Sequence, residues 1–442
     1  MPKKNPIDRL RKLTRNVYDR AAERVRSFTK QTDEVLSEEP IDFSAPSIPY
    51  YENIANRLSF ARVVLYMVLL VFVVVTVLCN HRLITYENLY YLAKDIGAAT
   101  LTAQSRADQI SYPISSSDAD FALYRGGMVV AGSEVVTAVS GSGRQTLSVN
   151  VAYAEPCVRS SDKYCLTFGR GEHSFAVYNS FVQIYRENTE FPVYDAAVGD
   201  NGSFAIVTRS RDYTSEVIVY NDNMEKLANY HLNGYVTGLS MNREGDRLGI
   251  VSVESVNGVW ETKITLIRME KRISMESVDL QDSFGSSCGF ITDDRFAVVL
   301  FDRLMILAMD TTVKGEVLFE GTTPALCAIA KDRVAILSKV DADLTENRLH
   351  VYDSNGRSVY GINMDAAHPI QASGNVIEMA FGDDRLYIRT ADKLYRFSDN
   401  GKSLASVAVS RDTLTVLPTD DEVLVCTPAY AARLDRDDFT KE

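Results

Sequence analysis

The residues that could do bond-making chemistry are few and scattered. Five histidines, His81, His173, His231, His350 and His368, stand singly along the 442-residue chain. Six cysteines, Cys79, Cys157, Cys165, Cys288, Cys327 and Cys426, include no C-x-x-C pair, and no Cys/His set has zinc spacing. There is no G-x-S-x-G elbow, P-loop or dinucleotide fingerprint. Cys157 and Cys165 flank an expected hairpin, where either a cross-strand disulfide or two buried thiols would fit. The runs Asp435-Arg436-Asp437-Asp438 and Asp341-Ala342-Asp343 offer oxygens to calcium, but solvated loops have the same composition. The expectation is no enzymatic activity, with no catalytic residue, metal or cofactor.

What remains is the chemistry of contact. Arg209, Arg211, Tyr213 and Trp260 are residue types that dominate binding interfaces. They fall in segments 209–214 and 253–260, which with 338–347 read as long loops on one face of a repeating domain. Four pairs, Asp246-Arg247, Asp294-Arg295, Asp332-Arg333 and Asp384-Arg385, recur in equivalent turns. A ring of such arginines could hold an anionic ligand. Turn chemistry with surface ion pairs explains the pattern equally, at little energy per pair.

The elements that must position these residues repeat. From about residue 110, short apolar strands alternate with Gly, Asp and Asn turns. One unit recurs as SSDKYCLTF (160–168), DNGSFAIVT (200–208), EGDRLGIVS (244–252), DDRFAVVLF (293–301), KDRVAILSK (331–339), DDRLYIRT (383–390) and DDEVLVCT (420–427), with a degenerate first copy, RGGMVVAG (125–132). The anchors Met128, Tyr164, Phe204, Leu248, Phe296, Val334, Leu386 and Val423 recur about every 42 residues, the spacing of propeller blades. Third strands such as RLHVYDS (348–354) and KLYRFSD (393–399) run into Asn355-Gly356 and Asn400-Gly401, the preferred two-residue hairpin chemistry, and SEVIVYN (215–221) is a third strand of the same kind. The fold expected is all-β, a β-propeller of eight blades, with seven as the alternative and a β-sandwich as the competing architecture. The last unit has three strands, and Ile110–Ser115 could supply its fourth. A quinone-binding propeller would want a Trp in nearly every blade, and Trp260 is alone.

Ahead of this domain lies Val63–Cys79, VVLYMVLLVFVVVTVLC, seventeen residues without a charge. With Phe60 and Ala61 the run reaches about 20 residues, roughly enough to cross about 30 Å of hydrocarbon. Residues 60–82 are therefore expected to be an uncleaved transmembrane signal anchor. Residues 1–62 hold twelve Lys/Arg against nine acids, and 83–442 hold 34 against 50. The bias puts the N-terminus in the cytoplasm and the acidic domain outside it. In residues 6–30 apolar positions recur at helical steps, and Arg9, Arg11, Lys12 and Arg15 suit an anionic membrane surface; a solvated charged helix fits as well. The organisation read is a basic tail with an acidic linker (1–59), the anchor (60–82), a juxtamembrane connector helix (83–109) and the propeller (110–442).

Composition sets the outer bounds. Hydrophobic residues are 46%, charged residues 24% and the net charge −12. These values exclude wholesale disorder and a polytopic membrane protein, and the acidic balance argues against nucleic acid as a partner.

The strings ITYENLYYLAKDIGAA (84–99), FALYRGG (121–127), FAVYNSFVQIYRE (175–187) and VTRSRDYTSEVIVYN (207–221) resemble a family of clostridial membrane proteins, domain-of-unknown-function family 5711. The resemblance covers the apolar run and most of the following domain. It implies a single-pass protein with an outer propeller and brings no catalytic residues. The function expected is a membrane-anchored scaffold or recognition module at the cell envelope, with the bilayer and an envelope protein, peptide or glycan as partners. The alternatives are a hydrolase or lyase in the central channel, or a transmembrane sensor relaying to the tail.

Overall fold

The structure, a computed structural model, describes residues 48–79, 109–112, 118–180, 182–269, 273–341, 343–382, 385–419 and 422–441. The tail with Arg9, Arg11, Lys12 and Arg15, and nearly all of the connector 83–109, lie outside them. The chain divides into two compact units, Met1–Leu92 and Ala93–Glu442.

In the first unit one helix runs from Ile48 to Cys79. It begins inside the stretch expected to be linker and carries the whole uncharged run to its end. Every side chain from Arg57 to Phe72 is exposed, including Leu65, Leu70 and Phe72 at 64%, 65% and 69%. Among the described residues, no helix is long and apolar enough to cross a membrane.

The second unit is built from antiparallel meanders, each strand hydrogen-bonded to the next in sequence. In chain order they cover 120–150, 156–193, 193–232, 235–281, 285–318, 322–364, 378–408 and 415–435. The 16-residue strand Gln183–Val198 closes the second meander and opens the third, so these two share a seven-stranded sheet. The last meander has three strands of its own. Its fourth is Gln109–Ser111, from the other end of the domain, which pairs Ile110 with Ala431. The first strands of successive meanders lie side by side, and the last lies against the first. The fold is all-β and propeller-like.

Burial follows the repeat. The anchors Met128, Phe204, Leu248, Phe296, Val334, Leu386 and Val423 are at most 1% exposed; Tyr164 is only partly buried, and its neighbour Cys165 takes the interior position. Apolar clusters lie between adjacent meanders. One joins the last to the first through Ile110, Phe121, Met128, Leu424 and Cys426.

Arginines cross the same junctions. Arg159 binds Asp195 at 2.9 Å and lies 3.5 Å from Asp120, linking the first three meanders. Arg243 in the fourth reaches Asp200 at 3.2 Å and also Asp162. Arg247 donates to the carbonyl of Asp293, Arg295 to that of Ser354 (2.7 Å) and Arg333 to that of Asp399 (2.8 Å). Arg389 donates to the carbonyls of Thr413 and Leu414, and Arg433 to that of Gly141. Three of the four recurrent Asp-Arg arginines, Arg247, Arg295 and Arg333, are thus spent on the next meander's backbone rather than on an anion ring. Asp384 lies outside the described residues.

Of the two readings open for Cys157 and Cys165 the structure has the buried thiols, and two of the expected loops change. Cys157 pairs with Phe168 and Cys165 with Ser160, and the two side chains enter different apolar clusters. Both thiols are free, and burial pushes Cys165 up to about 12. The segments 253–260 and 338–347 are not loops. They are the ends of paired strands, Arg247–Val256 with Val259–Arg268 and Arg333–Val340 with Asp343–Asp353.

Glu422 and Arg433 form an ion pair of 2.7 Å with side chains 5% and 6% exposed. Removing one partner of such a pair strands a buried charge, at about 3–5 kcal/mol. Glu422→Ala should lower the thermal unfolding midpoint accordingly, and Glu422→Leu with Arg433→Met should recover part of the loss. Equal midpoints for Glu422→Ala and the parent would contradict this role.

Candidate functional site

The links between second and third strands, and from one meander to the next, emerge at one end of the domain. One of them is the long hairpin of the fourth meander. It stays paired from Arg247 opposite Arg268 to Val256 opposite Val259. Asn257 and Gly258, with φ of 54° and 84°, close it as a two-residue turn whose twist matches the strands. Val256 and Val259 are exposed at its tip.

Beside the tip is Trp260, 53% exposed, with the ring of Phe284 edge-on at 5.6 Å and 87°. Phe284 is held outward by a buried threonine. Thr262 Oγ1 donates to the carbonyl of Ser283 (2.8 Å) and accepts from the amide of Gly285 (3.0 Å). The amide of Ser283 donates to the carbonyl of Trp260 (3.1 Å), and that of Phe301 to the carbonyl of Phe284 (3.0 Å). Phe301 is itself 49% exposed. Three aromatic side chains thus stand in solvent on backbone fixed by hydrogen bonds, an arrangement typical of interaction surfaces. Glu254 faces Glu261 across the hairpin, and Asp282 precedes the pinned link, so the surroundings are acidic.

The four residues singled out from the sequence do not form one cluster. Trp260 belongs to the aromatic trio. Tyr213 lies on the third meander, stacked on His231 at 4.9 Å and 22°. Arg211 lies 3.6 Å from Glu190 with both side chains largely exposed, a pair of small energetic value. Arg209 is exposed at the start of the 209–214 loop. Sequence reading missed Phe284 and Phe301. The signal was there in Asp282-Ser283-Phe284-Gly285 and Leu300-Phe301-Asp302, where an aromatic stands among turn residues.

Several other places where chemistry could gather are occupied. A cavity of about 420 Å³ among the first strands is lined by Phe121, Leu123, Met379, Phe381 and Leu417, with Glu378 at its edge. Glu378 is bound by Arg389 at 2.9 Å and accepts from Thr415 and the amide of Val416. Asp120 and Asp195 are held by Arg159 and by backbone amides. Among the described residues no group of three or more His, Cys, Asp or Glu could hold a metal ion. The 435–438 run is a capped turn in which Asp438 accepts from the amide of Asp435. His173 bonds the carbonyl of Thr189, and His368 caps the short helix Pro369–Ala372; His81 lies outside the described residues.

Residues 103–433 match the model of a family of unknown function (DUF5711), and the chain belongs to that family. A search of curated proteins finds no match. Among solved structures, apo AztD from Citrobacter koseri is similar at a TM-score of 0.50 and 12% identity, over 66% of this chain and 86% of AztD. BamB from Moraxella catarrhalis aligns at 0.48 and 8%, over 74% of this chain and 99% of BamB. The likeness to AztD, a β-propeller, is one of fold alone.

Trp260 is the chain's only tryptophan, so its fluorescence reports this surface alone. Thr262→Val removes both bonds that pin Phe284 and leaves an amide and a carbonyl unpaired, at about 1–3 kcal/mol. The emission maximum should move to longer wavelength in Thr262→Val and in Phe284→Ala, and stay put in Tyr213→Ala. An unmoved maximum in both of the first two variants would show that Phe284 does not shield Trp260.

Proposed function

We propose that this member of the family is a non-enzymatic recognition module, an eight-bladed β-propeller held at the cell envelope by one membrane helix. The count of eight is supported by reading Gln183–Val198 as a member of two blades and Gln109–Ser111 as the strand that completes the last. The observation that carries the reading is the solvent-facing trio Trp260, Phe284 and Phe301 on pinned backbone. Aromatic faces gain by covering apolar side chains, cations or sugar rings, and rigid ones lose little entropy in doing so. The partner is an envelope protein, peptide or glycan, with basic groups favoured by Glu254, Glu261 and Asp282.

The membrane anchor is supported by the helix Ile48–Cys79. Its described side chains are apolar and exposed over most of 57–72, and a helix apolar all round is stable only in apolar surroundings. The basic excess of the tail favours a cytoplasmic N-terminus and an extracytoplasmic propeller. The channel carboxylates Asp120, Asp195 and Glu378 are all bound by arginine, which supports a structural role for them rather than a catalytic one.

The test is site-directed photocrosslinking of the full-length protein in cells. A benzoyl-phenylalanine at position 260 should capture a discrete partner. One at position 400, exposed in a turn at the opposite end of the seventh meander, should not. Capture at 400 alone, or at neither position, would contradict the assignment. Protease added outside intact, wall-free cells should clip the propeller, and its complete protection would reverse the sidedness.

A further inference from the structure

We propose that the groove between the fifth and sixth meanders binds a small molecule through an oxyanion, a carboxylate or a phosphate, with Arg348 as its counter-charge. The groove encloses about 290 Å³, the size of a small-ligand pocket. One wall is the strand Asp343–Asp353, where Arg348, His350 and Tyr352 alternate and so share a face. Ser338 from the neighbouring strand adds a hydroxyl, and the link Leu318–Glu320 closes the other side.

The polar groups here are unspent. Ser338 and Tyr352 are 5% and 7% exposed, and neither hydroxyl makes a hydrogen bond among the described residues. Arg348 is partly buried and likewise has no hydrogen bond or ion pair among them. The junction arginines Arg295, Arg333, Arg389 and Arg433 each have an acceptor on the adjacent meander. A guanidinium offers five donors in a planar fork that matches carboxylate and phosphate oxygens, and hydroxyls complete such a set.

His350 is placed for the same ligand. Its ring stacks on Tyr352 at 5.9 Å and 13° and lies over Gly361, where a Cβ would come 2.9 Å from Cε1. Burial first, and then Arg348, hold its imidazole below the ordinary histidine value, consistent with positive charge beside it. Glu320 stands exposed at the mouth and disfavours a second negative group there. The ligand therefore carries one oxyanion and a neutral or cationic remainder.

The test uses the full-length protein in detergent micelles, titrated at constant ionic strength with sodium acetate or sodium phosphate against sodium chloride. The readout is the Cε1–H resonance of His350, assigned by its loss in His350→Gln. At least one of the two anions should shift it with one-site saturation; acetate alone would identify a carboxylate ligand and phosphate alone a phosphorylated one. Arg348→Gln should raise the half-saturating concentration at least tenfold, whereas Arg357→Gln, on the exposed turn of the same meander, should not change it. Gly361→Ala, which crowds the imidazole without altering charge, should weaken binding as well. No saturable shift with either anion, or an unchanged titration in Arg348→Gln, would overturn the proposal.

Discussion

A circle of sheets has no free edge to spare, so each sheet must recognise its neighbour and the last must recognise the first. The recurring interaction that meets this demand is a guanidinium reaching across the junction to the next meander's backbone, as Arg295 does at Ser354 and Arg333 at Asp399. Energy and register come from different sources. Full burial of a large apolar side chain stabilises by about 1.5–3 kcal/mol, and each junction buries several. A hydrogen bond to a charged group adds about 1.5–3 kcal/mol at best. The apolar clusters therefore supply most of the association, and the arginines fix which carbonyl meets which strand. Arginine suits the task because it stays charged and presents a rigid fork of donors.

The closing sheet carries a heavier share. Its outer strand, Gln109–Ser111, comes from one end of the domain and its other three strands from the opposite end. Glu378–Arg389 secures it to the seventh meander, and Arg433, paired with Glu422, reaches the first. Tyr112, just past the closing strand, donates to the carbonyl of Thr427 within the same sheet. A frame fixed in this way can present side chains at little entropic cost. Trp260 and Phe284 use that property: a paired hairpin and the two bonds of Thr262 hold aromatic surface in water that an unsupported loop would let collapse.

Much of the frame was legible in the sequence. The anchors from Met128 to Val423, Tyr164 excepted, are buried at the starts of second strands, because each repeat needs one large apolar side chain at that place. The need for a fourth strand in the last unit was visible as a missing partner, and Ile110 fills it. The arginine contacts were not legible, since the acceptors of Arg247, Arg295 and Arg333 are backbone carbonyls 46, 59 and 66 positions away with no side-chain signature. Segment 253–260 was read as a loop although Val253, Val256, Val259 and Trp260 make half of it apolar and Asn257-Gly258 marks a two-residue hairpin turn. Trp260 was found by residue type alone. Phe284 and Phe301 were missed because each stands in a turn that is only local in sequence, and their approach to the hairpin depends on the fifth meander docking beside the fourth.

Closure is the claim on which the frame and its surfaces rest. Hydrogen–deuterium exchange of the full-length protein, followed in the peptide covering Gln109–Tyr112, tests it most directly. The account predicts that these amides exchange as slowly as those of the partner strand Tyr430–Asp435 and are released together with them on unfolding. Exchange at the rate of an unstructured peptide, while the partner strand stays protected, would contradict it.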